Sequence, residues 1–218
     1  MKDYPSILGS KEIPWGEECI SFYKYDGSNL RFEYNKKQGW YKFGTRHRLF
    51  DQTDSEYGVA IDIFQKKYGD ALAKTICDKF PKLESAIAYA EFFGPYSFAG
   101  KHDATWLSQK GLLPEGKNNN EKDLVLFDVN IHKNGFVSPV DFIKTFSHLH
   151  IPQVIYQGPL TEEFAQDVRT GKYPVTEGVV AKGGNSAHKI WMRKIKTYNY
   201  LEKLKEIFPN NYKEYGEG

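Results

Sequence analysis

The chain has 218 residues, of which 40% are hydrophobic, 16% aromatic and 27% charged, enough to bury one full core and too aromatic for disorder to dominate. A formal net charge of +2 does not by itself announce a nucleic-acid binder, no apolar run approaches the roughly 18 residues of a membrane span, and the start, Met1-Lys-Asp-Tyr-Pro-Ser6, lacks the apolar stretch of a secretory signal. Cys19 and Cys77 are the only cysteines and lie outside any C-x-x-C spacing, so neither a disulfide framework nor a thiolate zinc site is indicated, and a reducing cytoplasm fits.

Along the chain, Cys19 to Tyr25, Ser28 to Tyr34 and Trp40 to Phe43 are rich in aromatic and β-branched residues. Asn35-Lys-Lys-Gln-Gly39 supplies the turn between the last two, so this region reads as a β-meander. Ser55 to Phe80 repeats apolar residues at Val59, Ile63, Leu72, Ile76 and Phe80, with Gly69-Asp70 in the middle and Pro81 after the end, which predicts two short helices. Further strands are expected at Ala86 to Phe93, Leu124 to His132, Val154 to Tyr156, Gly178 to Ala181 and Lys189 to Ile195. Helices are expected near Val140 to Leu149, Glu162 to Arg169 and Tyr198 to Ile207. Gly116 to Lys122 is a polar surface loop, and the C-terminal helix, over 198–208, is stopped by Pro209 before a short polar tail, 210–218. There is no internal repeat and no interdomain linker. The pattern is α+β with mostly antiparallel strands, organised as a single domain over 1–218.

Several residue groups have the chemistry of a site. Lys24-Tyr-Asp-Gly27 closes an apolar strand; on an extended backbone Lys24 and Asp26 point to one side, and Gly27 permits a sharp turn, so the group is either a placed nucleophile or an ordinary hairpin turn. Glu177-Gly-Val-Val-Ala-Lys182 is a short strand headed by a carboxylate, followed by a Gly183-Gly184 turn and a strand ending in Lys194-Ile-Lys-Thr197. Residues two apart share a face, so Lys194 and Lys196 project together; two ammonium groups side by side either hold an anion between them or form a solvated edge pair. Glu91 ends a strand of small and apolar residues, facing a pocket or solvent. Phe127 sits in a buried strand as core or as a base-stacking platform. From Lys182 to Lys213 the chain carries eight Lys or Arg against Glu202 and Glu206, a basic segment that meets phosphates or forms a solvated face.

Taken in order, Lys24-Tyr-Asp-Gly27, Glu91-Phe-Phe-Gly94, Phe127-Asp-Val129, Glu177-Gly-Val-Val-Ala-Lys182 and Lys194-Ile-Lys-Thr197 resemble the ordered motifs of the covalent nucleotidyltransferase superfamily. That superfamily comprises the ATP-dependent polynucleotide ligases and capping guanylyltransferases, and the chain looks most like the RNA ligases. The resemblance runs from about Cys19 to Thr197 and implies a ligase-type nucleotidyltransferase fold built on antiparallel sheets with flanking helices. It implies that Lys24 attacks the α-phosphate of ATP and carries AMP as a phosphoramide. Asp26 of the same motif, and Lys194 and Lys196 on the nucleotide phosphates, complete the implied catalytic set. By the same resemblance Arg46, on the strand after the motif hairpin, binds the nucleotide, with Arg48 the alternative match. Glu91 holds the ribose, Phe127 stacks on adenine, and Glu177 binds a divalent metal, Mg2+ or Mn2+. Asn29, after Ser28, helps position RNA. Lys182 ranks lower as a cofactor contact, because an ideal strand points it to the face opposite Glu177.

Physical chemistry agrees with these roles. An ordinary lysine titrates near ~10.4 and must lose its proton before it can attack phosphorus. Neighbouring cations disfavour the ammonium form and neutralise the α-phosphate and departing pyrophosphate. One acidic candidate without a carboxylate cage suits magnesium held largely by phosphate oxygens. His148-Leu-His150 offers no rival metal centre. The expected activity is ATP-dependent joining of RNA 5′-phosphate and 3′-hydroxyl ends, as in RNA repair. A minimal DNA ligase or a guanylyltransferase is the rival enzyme, and a non-catalytic nucleotide- or RNA-binding module the rival from another class. Only the segment 198–218 follows Thr197, so no appended OB-fold is expected and a partner protein or domain is expected to supply substrate grip.

Overall fold

The computed structural model describes residues 4–9, 13–94, 122–185 and 189–210. In chain order the elements are β1 (Glu18–Lys24), β2 (Ser28–Asn35), β3 (Gly39–Gly44), β4 (Leu49–Phe50), α1 (Gly58–Phe64), a π-helical turn (Gln65–Gly69), α2 (Asp70–Lys79), β5 (Ser85–Phe93), β6 (Asp123–Ile131), β7 (Gly135–Phe136), α3 (Pro139–Phe146), β8 (Val154–Pro159), α4 (Glu162–Arg169), β9 (Gly178–Gly183), β10 (Trp191–Lys196) and α5 (Tyr198–Ile207). The fold is α+β with antiparallel sheets, as expected. Of the expected polar loop only Lys122 is described, and the tail beyond Asn210 lies outside the described residues. No helix among the described residues is long and apolar enough to cross a membrane. Cys19 and Cys77 are both free thiols.

The chain divides into two compact units, the first comprising Met1–Tyr4, Asp26–Val137 and Asp141–Ile151, and the second Pro5–Tyr25, Ser138–Val140 and Pro152–Gly218. The first unit is built on a six-stranded sheet in the order β4-β3-β2-β5-β6-β7. Along β2 the sequence alternates, and Leu30, Phe32 and Tyr34 are buried opposite Ala90, Ala88 and Ala86 of β5. The small alanines leave room for large rings beside them. Phe32 stacks on Phe64 of α1 at 3.8 Å and 5°, and Trp40 meets the same ring edge-on at 4.8 Å. Each fully buried ring of this kind contributes about 1.5–3 kcal/mol.

The expected break at Gly69-Asp70 does not occur. Gly69 keeps a right-handed helical backbone and the helix runs on from α1 through the π turn into α2. Packing overrides the roughly 1 kcal/mol helical penalty of glycine. Tyr68, 1% exposed, donates its hydroxyl hydrogen toward Leu124 O at 2.9 Å and His150 O at 2.8 Å, and Trp40 Nε1 donates to Gly69 O at 2.9 Å.

The second unit is a four-stranded antiparallel sheet in the order β10-β9-β1-β8. On one face Cys19, Val179, Ala181 and Ile195 pack with Leu160 and with Phe164, Ala165 and Val168 of α4. Thr161 caps α4, accepting from Phe164 N at 3.1 Å, which satisfies one of the open donors of the first turn. The expected N-terminal meander is therefore corrected: β1 pairs with β8 and β9, not with β2. The buried run Cys19 to Phe22 marks a central strand, and such a strand takes its neighbours from wherever the chain supplies matching apolar edges.

Candidate active site

The residues expected in the last two motifs meet β1 on the second unit's sheet. Register places Lys24 opposite Gly178, and Gly178 opposite Lys196; Phe22, Val180 and Lys194 form the next row, and Ile20, Lys182 and Met192 the third. Because side chains alternate along a strand, Lys24, Lys182, Lys194 and Lys196 all rise from the face opposite the α4 core. Lys196 and Lys182 are buried there, at 4% and 6% exposed. Four cationic side chains on one sheet face, two of them buried, suit an anionic ligand.

Glu177 is the counter-charge. Its side chain is 3% exposed and its Oε1 lies 2.8 Å from Lys24 Nζ and 2.7 Å from Lys196 Nζ. Strand alternation alone would put Glu177 opposite Lys182, and the structure overturns that inference. Gly178 has φ +145°, and a Cβ there would meet Ile195 O at 2.0 Å. This conformation, open to glycine but not to other residues at that spacing, breaks the alternation and turns Glu177 onto the lysine face. Lys182, ranked low for its orientation, belongs to the same face as the other lysines, 5.5 Å above the Phe22 ring.

Glu177 Oε2 is buried without a hydrogen-bond partner. An acceptor so placed fits a divalent cation, and among the described residues no cluster of three His, Cys, Asp or Glu competes for one. A cation held here has one protein carboxylate and needs its other oxygens from phosphate or water. Behind the cluster, Thr197 N donates to Glu177 O at 3.0 Å and the Thr197 hydroxyl to Thr176 O at 2.9 Å. Thr197 also caps α5, accepting from Tyr200 N at 3.2 Å. Lys196 and Lys203 lie over the Tyr200 ring at 4.6 and 4.9 Å, so the aromatic face favours cations at this end of the sheet. Lys194 is positioned through its backbone N–H, which donates to Leu8 O at 3.1 Å.

The remaining predicted residues belong to the first unit. Asp26 is its first residue after β1, in the bend that leads to Gly27. A Cβ on Gly27 would meet Phe92 O at 2.4 Å, which explains a glycine at this step. Asn29 of β2 stands opposite Glu91 of β5, and Glu91 opposite Val125 of β6. Phe127 occupies a bulge: Tyr89 pairs with Asp128 and Ala90 with Leu126, leaving Phe127 between them, half-buried.

Arg46 does not lie on a strand, contrary to expectation. It is exposed in the turn between β3 and β4, where the Thr45 hydroxyl accepts from His47 N at 3.2 Å and Arg48 N at 3.1 Å and so closes the turn. The alternative, Arg48, directs its guanidinium to Asp54 and to Glu56 at 3.6 Å.

Two features of the first unit escaped the sequence reading. Arg31 and Glu33 form a buried pair, 3.5 Å apart, on the face shared with Asn29. The alternation of Asn29, Arg31 and Glu33 with Leu30, Phe32 and Tyr34 carried that signal. Tyr4 is buried against Phe127 and Tyr89, and nothing in the local sequence points to it.

No protein-family model matches the chain, and no curated protein matches it. Solved structures do. The RNA ligase of Naegleria gruberi with pyrophosphate superposes with a TM-score of 0.64 at 15% identity, over 94% of this chain and 58% of that one. A mutant of that ligase with AMP and manganese gives 0.63 at 14% identity, over 93% and 58%. An Aquifex aeolicus protein provisionally named an ATP-dependent DNA ligase gives 0.56 at 17% identity, over 97% and 56%. The chain thus has the ligase-type nucleotidyltransferase fold and spans a little over half the length of these structures, 58% and 56%.

Proposed function

We propose that the chain is an ATP-dependent RNA ligase acting through a lysyl-AMP intermediate. The observation that carries the reading is the Lys24–Glu177–Lys196 cluster, two ammonium groups within 2.8 Å of one buried carboxylate oxygen, on the sheet face that also bears Lys182 and Lys194. Lys24 is the least buried member, its side chain 21% exposed, as a nucleophile that must reach a ligand requires. In the first step the Lys24 ammonium gives up one proton, and Glu177 Oε1, 2.8 Å away, is the acceptor within hydrogen-bond reach of it. The neutral nitrogen then forms a bond to the α-phosphorus as the bond from phosphorus to the pyrophosphate oxygen breaks, and the second Nζ proton leaves with the pyrophosphate. Lys194 and Lys196 hold the phosphates and meet the charge that grows on the leaving group, the type of electrostatic stabilisation worth about 2.7–4 kcal/mol in other active sites. A magnesium or manganese ion, when bound by Glu177, supplies further charge neutralisation at phosphate oxygens.

Glu91 and Asn29, opposite one another on the first unit's sheet, are assigned to ribose and RNA, and Phe127 to the adenine face. Asp26 is assigned to the catalytic set with the motif lysine, Lys182 adds to the cationic face, and Arg46 is assigned to the nucleotide, with Arg48 the alternative. The AMP is then passed to an RNA 5′-phosphate, and a 3′-hydroxyl displaces it. A partner protein or further domain is assigned the grip on the strand, and the cytoplasm the place of action. RNA is preferred to DNA because Ser28-Asn29 resembles the RNA-ligase pattern and because the 2′-hydroxyl offers a protein a direct way to tell the two apart. The likeness to the Aquifex protein supports a minimal DNA ligase as second reading.

The deciding experiment incubates the protein with α-labelled ATP and Mg2+, maps the label by mass spectrometry, and then offers matched nicks in RNA and in DNA. The expected results are one AMP on Lys24, none in Lys24→Ala, and preferential sealing of RNA. Label on another lysine overturns the mechanism, label from GTP alone replaces it with guanylyl transfer, and equal sealing of an all-DNA nick selects the second reading.

A further inference from the structure

The first unit holds a buried phenol that the proposed chemistry leaves unused. Tyr4 is 5% exposed. Its ring centroid lies 5.1 Å from that of Phe127, with the planes at 87°, and 4.9 Å from that of Tyr89. Its hydroxyl donates to Asp128 Oδ2 at 2.8 Å, and Asp128 itself is 2% exposed. Burial, and then the Asp128 carboxylate, push the Tyr4 phenol well above its usual range, which keeps it a donor.

The contact matters because of where Phe127 stands. A bulge re-aims its side chain and removes the residue from the ladder that orients its neighbours. With Asp128 in register opposite Tyr89 and Leu126 opposite Ala90, the orientation of the Phe127 ring is left to side-chain packing. Tyr4 packs on that ring and, through Asp128, anchors the next residue of the strand. The near-perpendicular arrangement with Phe127 is one of the preferred aromatic geometries.

We infer that Tyr4 is a positioning residue for the nucleotide base: by packing against Phe127 and hydrogen-bonding Asp128 it fixes the bulged Phe127 ring as the platform on which a purine stacks. The inference rests on the proposed nucleotidyl-transfer reading and extends it to a residue outside the motifs. Its consequence is selective. Loss of Tyr4 weakens what the base contributes to binding and spares what the triphosphate contributes on the lysine face.

The test is titration calorimetry with α,β-methylene-ATP, which cannot be cleaved at the α-phosphate, and with tripolyphosphate, which has no base. Tyr4→Leu is expected to weaken the nucleotide about tenfold, a scale set by aromatic pair energies, and to leave tripolyphosphate unchanged. Tyr4→Phe, which keeps the ring and frees Asp128, is expected to lose about threefold for the nucleotide alone. In a Phe127→Ala background either change at Tyr4 is expected to add nothing. Equal losses for both ligands, or a Tyr4 effect that survives Phe127→Ala, overturns the inference. If Tyr4→Leu does not fold, as read by near-ultraviolet circular dichroism, the same cycle with Tyr4→Phe decides. Unchanged nucleotide affinity in the Tyr4 variants, with Lys24 labelling intact, sinks this inference alone. A wild-type protein that binds neither ligand and leaves Lys24 unlabelled sinks the underlying reading with it.

Discussion

Glu177→Gln isolates the charge balance of the lysine face. An amide of the same shape preserves packing around a side chain that is 3% exposed but leaves the Lys24 and Lys196 ammonium groups, at 2.8 and 2.7 Å, facing a neutral acceptor. Removing one partner of a buried ion pair costs about 3–5 kcal/mol. Lys196 bears most of that, since its side chain is 5% exposed, whereas Lys24 at 21% regains some hydration, so the lower end, about 3 kcal/mol, is expected. In a chain of this size that corresponds to a fall in Tm of roughly 6–12 °C. Urea unfolding at neutral pH measures the loss. Glu177→Leu combined with Lys196→Met, which removes the charge from both sides of the buried contact, is expected to recover most of the loss, and the non-additivity gives the coupling. A Glu177→Gln variant within about 0.5 kcal/mol of the parent at neutral pH would refute the buried, doubly bridged carboxylate.

Other expectations follow from single contacts. Gly178→Ala must move either its own backbone from φ +145° or the Ile195 carbonyl 2.0 Å from the new Cβ; a stability loss of at least about 1–3 kcal/mol and loss of Lys24 labelling are expected, measured by thermal melting and by AMP transfer. Lys194→Ala and Lys196→Ala are each expected to slow labelling by about two to three orders of magnitude, read in single-turnover assays. Thr197→Ala removes the α5 cap at Tyr200 N and is expected to cost about 1 kcal/mol in urea unfolding. The Arg48 guanidinium, helped by the backbone N–H of Tyr57, holds the Asp54 carboxyl below the usual carboxylate range. Asp54→Asn is therefore expected to reduce stability at neutral pH, and the difference is expected to close as pH falls below about 3.9 toward the lowered folded value, followed by melts on an acid series.

What the sequence by itself determined is what local physics decides. Helices at Glu162–Arg169 and Tyr198–Ile207 were legible to within about a residue, because an apolar stripe at helical spacing follows a capping threonine in each, Thr161 and Thr197. The shared face of Lys194 and Lys196 needed only the two-residue period of a strand. Lys24, Glu91, Phe127 and Glu177 stood out through the order of their motifs, which resembles that of the ligases. Tertiary structure alone decided which strands are neighbours: β1 lies between β8 and β9, segments more than a hundred residues away in the sequence, because burying both edges of an apolar strand outweighs the short loop to β2. It also decided where alternation fails. At Gly178 a backbone conformation reserved for glycine turns Glu177 onto the lysines, and at Phe127 a bulge takes one side chain out of register; both depend on the opposing strand, which no local pattern contains. Tyr4 is the extreme case, since the residues that argue for a role are Phe127, on which it packs, and Asp128, at a sequence separation of 124 residues. Propensity and period act over a few residues, while pairing and burial are settled by competition across the whole chain.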